Sequence, residues 1–557
     1  MKVYEAYARA FHAEGVDRVF GLMGDGNMFW MSQMATLGTR VVHARHETAA
    51  ITMADAYARK TGSVGVATIT CGPGLTHALT TLVVATREQV PMVVFAGDSP
   101  MRSSFYLQEI DQPGILKAAG VACITPTSSS NVGDDVRRAF HLAWTESKPV
   151  VMSVPMDLQE DFYDWPWFYT PSGVTSGTAN RVRPSDDSLV ELKDMLADAE
   201  RPVLFAGRGA VLAGAGPAIA ALAARCDARL ATSLMAKGLF DGDPRNIGLG
   251  GAFADAAARE IFASADLVVA IGARLGHFSS EGGYLFPEAR VVSIDIRPQM
   301  YKEGLWAFEK VFPGDAHATV TALCELFPAD AQGSGGPPSN PPQHVAPVDM
   351  TSDWTTSYQG ETAADPEVVA QILASAIDPE WNLVLGIGHF WNFLVPAFSG
   401  RAPENYTFTC DFGCIGLGLP AAIGVVHASQ DPATRTVLVE GDGSLLQNIG
   451  ELEVVGRDQL PLLTLIMNDG AYGAEIHKLR AKGMTEENEG LAIFGRPDFA
   501  AIASGFGMHG VRADSPLTLQ KIIAEFAADP RPTLVDIPIT RAPSPQYRRL
   551  YFGESSS

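Results

Sequence analysis

The reading of the fold turns on VLVEGDGSLLQNIGELEVVGRDQLPLLTLIMNDGAYG, residues 437–473. Two Val/Leu/Ile runs stop at an acidic residue beside glycine: Asp442 and, 27 residues on, Asp469. Residues 436–439 read as a buried strand, and 440–443 as a tight turn, since glycine reaches backbone shapes that other residues avoid. LLQNIGELEVVGRDQ reads as one helix with Leu445, Ile449 and Leu452 on one face, and a second strand ends at Met467. A strand–helix–strand unit crosses over right-handed, with its strands parallel. With those strands as neighbours, Asp442 and Asp469 meet at the carboxyl edge of a sheet, where open α/β sheets bind ligands. Two carboxylates held together repel, and one is driven to take up a proton. A divalent cation removes the conflict. Oxygen ligands beside a helix N-terminus suit Mg²⁺ or Ca²⁺, with a phosphate supplying further oxygens. An ordinary acidic turn is the alternative for either residue alone, and the GDG triplet recurs at 24–26.

The same pattern extends outward. Short apolar runs at 64–70, 91–97 and 149–155, at 202–207, 265–273 and 289–296, and at 381–388, 434–443 and 460–470 alternate with longer amphipathic stretches. Continuous apolar strands separated by helices indicate parallel sheets covered on both faces. A Ser/Thr/Gly-rich stretch at 170–180 and a Pro/Gly-rich stretch at 331–347 read as connections. They divide the 557 residues into three doubly wound α/β domains, 1–168, 185–328 and 355–545. The chain carries 63 acidic and 41 basic residues, a net charge of −22, so nothing offers the basic stripe that nucleic acid requires. The six cysteines are scattered without a CxxC pair and read as small buried hydrophobes. The N-terminus reads as an amphipathic helix leading into a strand. With no signal-peptide core and no run of 18 apolar residues, no membrane span and a cytoplasmic location are expected.

At these motifs the sequence resembles the thiamine-diphosphate enzymes of the acetolactate synthase, pyruvate decarboxylase and benzoylformate decarboxylase group. Gly441-Asp442-Gly443 followed by Asn468-Asp469 resembles their GDG…NN signature, with aspartate in place of the second asparagine. RHETAA (45–50) resembles their activating-glutamate motif, CGPG (71–74) their glycine turn, and DFGCIGLGLPAAIG (411–424) the segment under the thiazolium ring. The resemblance covers nearly the whole chain. It implies pyrimidine-binding, central and diphosphate-binding domains in that order. Asp442, Asp469 and the carbonyl of Ala471 would hold Mg²⁺. Gly388, His389, Phe390, Gly443 and Ser444 would approach the diphosphate. Glu47 would bond the aminopyrimidine ring and acidify the reactive carbon, Ile415 would keep the cofactor bent, and Gly413 would offer its carbonyl to the amino group. A structural reading stands beside each: Glu47 as a solvated helix-start carboxylate, Ile415 as core.

The implied reaction is decarboxylation of a 2-oxo acid, followed by protonation or by ligation to an aldehyde or ketone acceptor. Around the substrate the resemblance is mixed. Asp25 falls where pyruvate decarboxylases have a catalytic aspartate, and Glu475 matches their glutamate. The decarboxylases' His-His pair is replaced by Leu107-Gln108, with Gln108 resembling the synthases' glutamine, and the synthases' Gln-Trp pair is replaced by His477-Lys478. Capping and surface roles are the alternatives for Asp25 and Glu475. His77 and His277 are further pocket candidates that read equally as structural histidines. Acetolactate synthase proper and an oxalyl-CoA-type decarboxylase are the neighbouring readings, and a non-catalytic nucleotide-binding protein is the reading from another class. In the central domain ARLGHFSS (273–280) lacks the flavin-type run, while VVSIDIRP (291–298) keeps a strand ending in an acid. FAD, ADP or neither stays open there. In the family Glu47 of one subunit serves another's metal site, so a homodimer or homotetramer is expected.

Overall fold

A computed structural model describes residues 1–176, 181–297, 308–328, 353–429, 431 and 433–553. It contains three six-stranded sheets, each wholly parallel. Each of the nine apolar runs contains a strand. In the N-terminal sheet these are Gly65–Ile69, Met92–Asp98 and Pro149–Pro155. In the central sheet they are Pro202–Ala206, Leu267–Ile271 and Arg290–Asp295. In the C-terminal sheet they are Asn382–Leu385, Thr436–Gly441 and Leu462–Asn468. With strands counted in chain order within each sheet, the N- and C-terminal sheets share one order, 2-1-3-4-6-5, and the central sheet runs 3-2-1-4-5-6. The central order is that of a dinucleotide-type doubly wound sheet. The stretch at 170–180 holds a short helix, Ser172–Ser176, with 177–180 outside the described residues. The expected connection at 331–347 also lies outside them. No described helix is long and apolar enough to cross a membrane.

The N- and C-terminal halves share one core. The helix Glu47–Thr61 lies against the helix Gly418–Ala428, and Ala50, Met53, Ala54, Leu419 and Ile423 belong to one buried apolar cluster. The helices are so close at Gly424 that a β-carbon there would stand 2.3 Å from the Met53 carbonyl. Only a glycine permits that approach.

Two local expectations are corrected. No separate turn follows the first strand of the decisive stretch: Thr436–Gly441 runs directly into a helix, Asp442–Gln447. Nor does that helix continue to Gln459. It breaks at Asn448 (φ −128°, ψ 30°) into a single turn, Ile449–Glu451, and a second short helix, Leu452–Arg457. The Asn448 side chain donates to the Gly416 carbonyl, and the break swings Glu451 toward the N-terminal half, where it accepts the Arg45 backbone N–H at 2.9 Å. Of the cysteines, only Cys71 is buried; the other five are half-buried, and all six are unpaired.

Buried carboxyls cluster at the seams. Glu88 and Asp55 flank the Arg59 guanidinium at 2.9 and 2.8 Å. Arg208 of the central region donates to the Glu88 carbonyl, and Arg59 donates to the Phe408 carbonyl of the C-terminal half. Burial pushes Glu88 up to about 8 against the pull of Arg59, and pushes Glu440 and Glu451 up to about 7. Unfolded glutamates titrate near 4.3. Across that window the folded chain therefore holds protons that the unfolded chain has released, so these groups favour folding most at low pH. Their contribution falls as pH rises from about 4.3 through about 7 to 8. Thermal midpoints measured across the window should show Glu451→Gln, which keeps an acceptor but cannot ionise, declining less steeply than wild type. An identical slope would contradict the assignment.

Candidate active site

The strands Thr436–Gly441 and Leu462–Asn468 are adjacent, with Gly441 opposite Met467. The residues that follow, Asp442 and Asp469, are therefore brought to one point of the carboxyl edge, both almost fully buried. Asp442 accepts the Gly470 N–H at 2.6 Å and the Gly443 N–H at 2.8 Å. Asp469 accepts the Ala471 N–H at 3.0 Å. Burial first, then the Asp469 charge, pushes Asp442 up to about 8. Two arginines approach from behind, but they are spent elsewhere. Arg496 donates to the Asn468 carbonyl at 3.1 Å and Arg541 to the Asp469 carbonyl at 2.9 Å, and both pair with Glu361. Ala471 is buried, and among the described residues no hydrogen bond ends on its carbonyl. Two buried carboxyl groups that resist ionising together, beside an unused carbonyl oxygen, form a donor set that suits a hard divalent cation.

His389 closes this point from the next strand. Its buried Nδ1 stands 3.4 Å from Asp469 Oδ2 and makes no hydrogen bond. Its Nε2 faces Nε2 of the fully buried His477 at 3.2 Å, so one of the two donates and the other accepts. Burial, and then His389, drives His477 down to about 3. The Tyr547 ring, from the helix Pro545–Phe552, stacks on His389 at 5.8 Å. Gly473 is required here: a β-carbon would come within 2.5 Å of Asp469 Oδ2 and 3.0 Å of His389 Nδ1. A buried imidazole nitrogen without a hydrogen bond, beside Asp469, suits donation to an anionic oxygen such as that of a diphosphate.

The other expected residues divide into two groups. Around the aspartates, Gly443 lies under the Tyr472 ring, where a β-carbon would stand 2.9 Å away. The Ser444 hydroxyl donates to Glu440 at 2.6 Å and accepts the Gly416 N–H at 2.8 Å, so the hydroxyl expected to face a diphosphate is already engaged. The Phe390 ring packs inward against Gly388 and Gly441, which leaves only its backbone toward the site. Gly413 (φ +67°) and the half-buried Ile415 share the loop before Gly416. Glu475 is exposed on the helix Gly473–Ala481 and pairs with Lys478 at 2.8 Å.

The second group lies on the N-terminal sheet edge. Glu47 starts the helix Glu47–Thr61, is 7% exposed, and stands 3.1 Å from His77 Nδ1 through Oε2. Asp25 is exposed near Tyr106, whose hydroxyl donates to Gln108 at 3.3 Å. Among the described residues no hydrogen bond or ion pair joins Glu47 to Asp442, Asp469 or His389. Sequence reasoning missed the facing of His477 on His389 and the Tyr547 cover. No local motif marks either, because both arise only when the C-terminal helix folds back. His277 lies apart, against Phe278 and Gly282. Just past the carboxyl ends of strands 1 and 4 of the central sheet, Gly209 N–H, in the short helix Arg208–Leu212, bonds the Gly272 carbonyl at 2.9 Å, and Asp295 accepts the Arg297 N–H at 2.8 Å.

Three family models cover most of the chain: thiamine pyrophosphate enzyme N-terminal TPP binding domain over residues 1–115, central domain over 189–323, and C-terminal TPP binding domain over 386–537. Among curated relatives, the acetolactate synthase large subunit of Parasynechococcus marenigrum is 28% identical over 548 residues, 96% of this chain and 86% of the relative. A Pseudomonas aeruginosa protein named probable 2-ketoarginine decarboxylase is 28% identical over 520 residues, 90% and 88% of the two chains. A solved Rhodococcus jostii thiamine diphosphate-dependent 4-hydroxybenzoylformate decarboxylase superposes with a TM-score of 0.80 over 97% of this chain and 99% of that one, at 22% identity.

Proposed function

Because this chain belongs to the thiamine pyrophosphate enzyme family, we propose that it is a thiamine-diphosphate- and Mg²⁺-dependent lyase or carboligase acting on a 2-oxo acid. The observation that carries the reading is the buried Asp442–Asp469 pair beside the unused Ala471 carbonyl. Asp442, Asp469 and Ala471 hold the ion. His389, with Gly388, Gly443 and the backbone of Phe390 and Ser444, binds the diphosphate, and Gly413 and Ile415 support the rings. When bound, thiamine diphosphate supplies an acidic carbon that adds to carbonyls and an electron sink for the charge left when carbon dioxide departs. Glu47 holds the proton at the pyrimidine. Asp25 and Glu475 carry protons near the substrate, and Gln108, fixed by Tyr106, orients a carbonyl without titrating.

Glu47 serves the pyrimidine end of a cofactor whose diphosphate lies at Asp442 and Asp469, and among the described residues no bond joins it to either aspartate, which supports a second copy of the chain bringing the two ends together. A homodimer or homotetramer supplies that copy. We take 1–168, 185–328 and 355–545 as the functional domains, with FAD or ADP in the central one left to direct titration. The relatives include both a synthase and a decarboxylase at equal identity, and the pocket mixes residues of both kinds. A screen of pyruvate, benzoylformate and longer 2-oxo acids, with carbon dioxide and product identity as readouts, tests the reading. Release of carbon dioxide that requires added thiamine diphosphate and Mg²⁺ is expected. Acetolactate as the product from pyruvate would assign the synthase reaction. Absence of turnover on every acid would overturn the proposal.

A further inference from the structure

Glu47 presents two different oxygens. Oε2 stands 3.1 Å from His77 Nδ1. No hydrogen bond among the described residues ends on Oε1, which lies 3.6 Å from the position a β-carbon would take on Gly74. That β-carbon would also crowd Thr70 Cγ2 at 2.9 Å, so glycine keeps the approach to Oε1 clear. His77 belongs to the helix Pro73–Arg87, one turn beyond Gly74. Two further contacts fix it to the Glu47 segment, and a third sets His46 within that segment. The His46 and His77 rings stack at 4.8 Å with 26° between their planes, the Thr48 hydroxyl donates to the His77 carbonyl at 2.8 Å, and the Thr48 N–H reaches His46 Nδ1 at 3.2 Å. His46, Glu47 and His77 also lie close enough to hold a cation, but the Nδ1 atoms of both histidines are already committed, one to Thr48 and one to Glu47.

The geometry points to His77 as a positioning residue for Glu47: its Nδ1–H holds one carboxyl oxygen so that the other is presented, in a fixed plane, to the pyrimidine. This rests on the proposed cofactor reading. A carboxylate held by one bond loses its free rotation, and misplacement of a catalytic group by about 1 Å costs on the order of 100-fold in rate. The acid itself remains Glu47, so the ring acts through it rather than on the substrate.

The test uses the full-length protein. His77→Leu should lower kcat by about tenfold to 100-fold, with calorimetric thiamine diphosphate affinity in Mg²⁺ changed by less than about threefold. His77→Asn should restore most of the rate, because its amide nitrogen falls where Nδ1 lies. In a Glu47→Gln background, His77→Leu should cost almost nothing further. A second readout needs no turnover: thermal midpoints of apo wild type, Glu47→Ala, His77→Ala and the double variant should be non-additive, as for two groups in contact. Additive midpoints, a His77→Leu enzyme with wild-type kcat, or a His77→Asn enzyme as slow as His77→Leu would each overturn the inference. Wild-type protein that binds no thiamine diphosphate would instead overturn the parent reading, and this inference with it.

Discussion

Glu47→Gln is expected to lower thiamine-diphosphate-dependent turnover by about 10²- to 10⁴-fold, the range for removing a positioned general acid–base group. The substitution is nearly isosteric. Glutamine keeps an oxygen for the His77 Nδ1 contact at 3.1 Å and keeps the helix start, so the fold and the half-buried surroundings should persist. What it removes is the ability to hand a proton to and from the pyrimidine. Cofactor affinity should change far less than kcat, because the lost interaction is one made as the cofactor is activated rather than as it binds. Steady-state kinetics beside calorimetry on the same preparation separate the two quantities. Full turnover in the variant would leave Glu47 as an ordinary helix-start carboxylate.

Asp442→Ala carries the second large effect. The affinity for thiamine diphosphate in the presence of Mg²⁺ should fall on the order of 100-fold or more, since an anionic ligand is lost from a site with few protein ligands. The apo protein should respond in the opposite sense. Burial and Asp469 together hold the Asp442 carboxyl at about 8, a cost that alanine removes. The apo thermal midpoint is therefore expected to stay level or rise, while the stabilisation on adding cofactor and Mg²⁺ disappears. In wild type that stabilisation is about 2.7 kcal/mol at 100 times Kd. A variant that melts early yet binds the cofactor normally would show Asp442 to be structural.

Much of this arrangement is legible in the sequence alone. The apolar runs named strands in all three sheets because strands buried on both faces must be continuously apolar. The parallel pairing of two of them was enough to put Asp442 beside Asp469. The edge strands were not legible. Arg40–His43, Lys310–Pro313 and His509–Arg512 are four residues each and mix basic with apolar side chains, because an edge strand has a partner on one side only. The strand Thr533–Pro538 escaped for another reason: Asp536 interrupts its apolar run, and one oxygen of that buried carboxyl accepts the Asn468 amide at 2.8 Å. Helix continuity misled as well. Nothing in LLQNIGELEV announces that Asn448 will leave the helix to bond Gly416, since that bond exists only after the 411–416 loop has folded against it. The burial of His477 against His389 and Tyr547 has the same character, a contact assembled from segments distant in sequence. Where one segment decides the geometry the sequence was readable, and where two must meet first it was not.

The most direct measurement is an experimentally determined structure of the protein crystallised with thiamine diphosphate and Mg²⁺. A single ion should lie about 2.0–2.1 Å from oxygens of Asp442, Asp469 and Ala471, with the diphosphate on its open side near His389. Glu47 of a second copy of the chain should stand against the pyrimidine. An ion bound away from the two aspartates, or a pyrimidine with no Glu47 within hydrogen-bonding reach, would contradict the account.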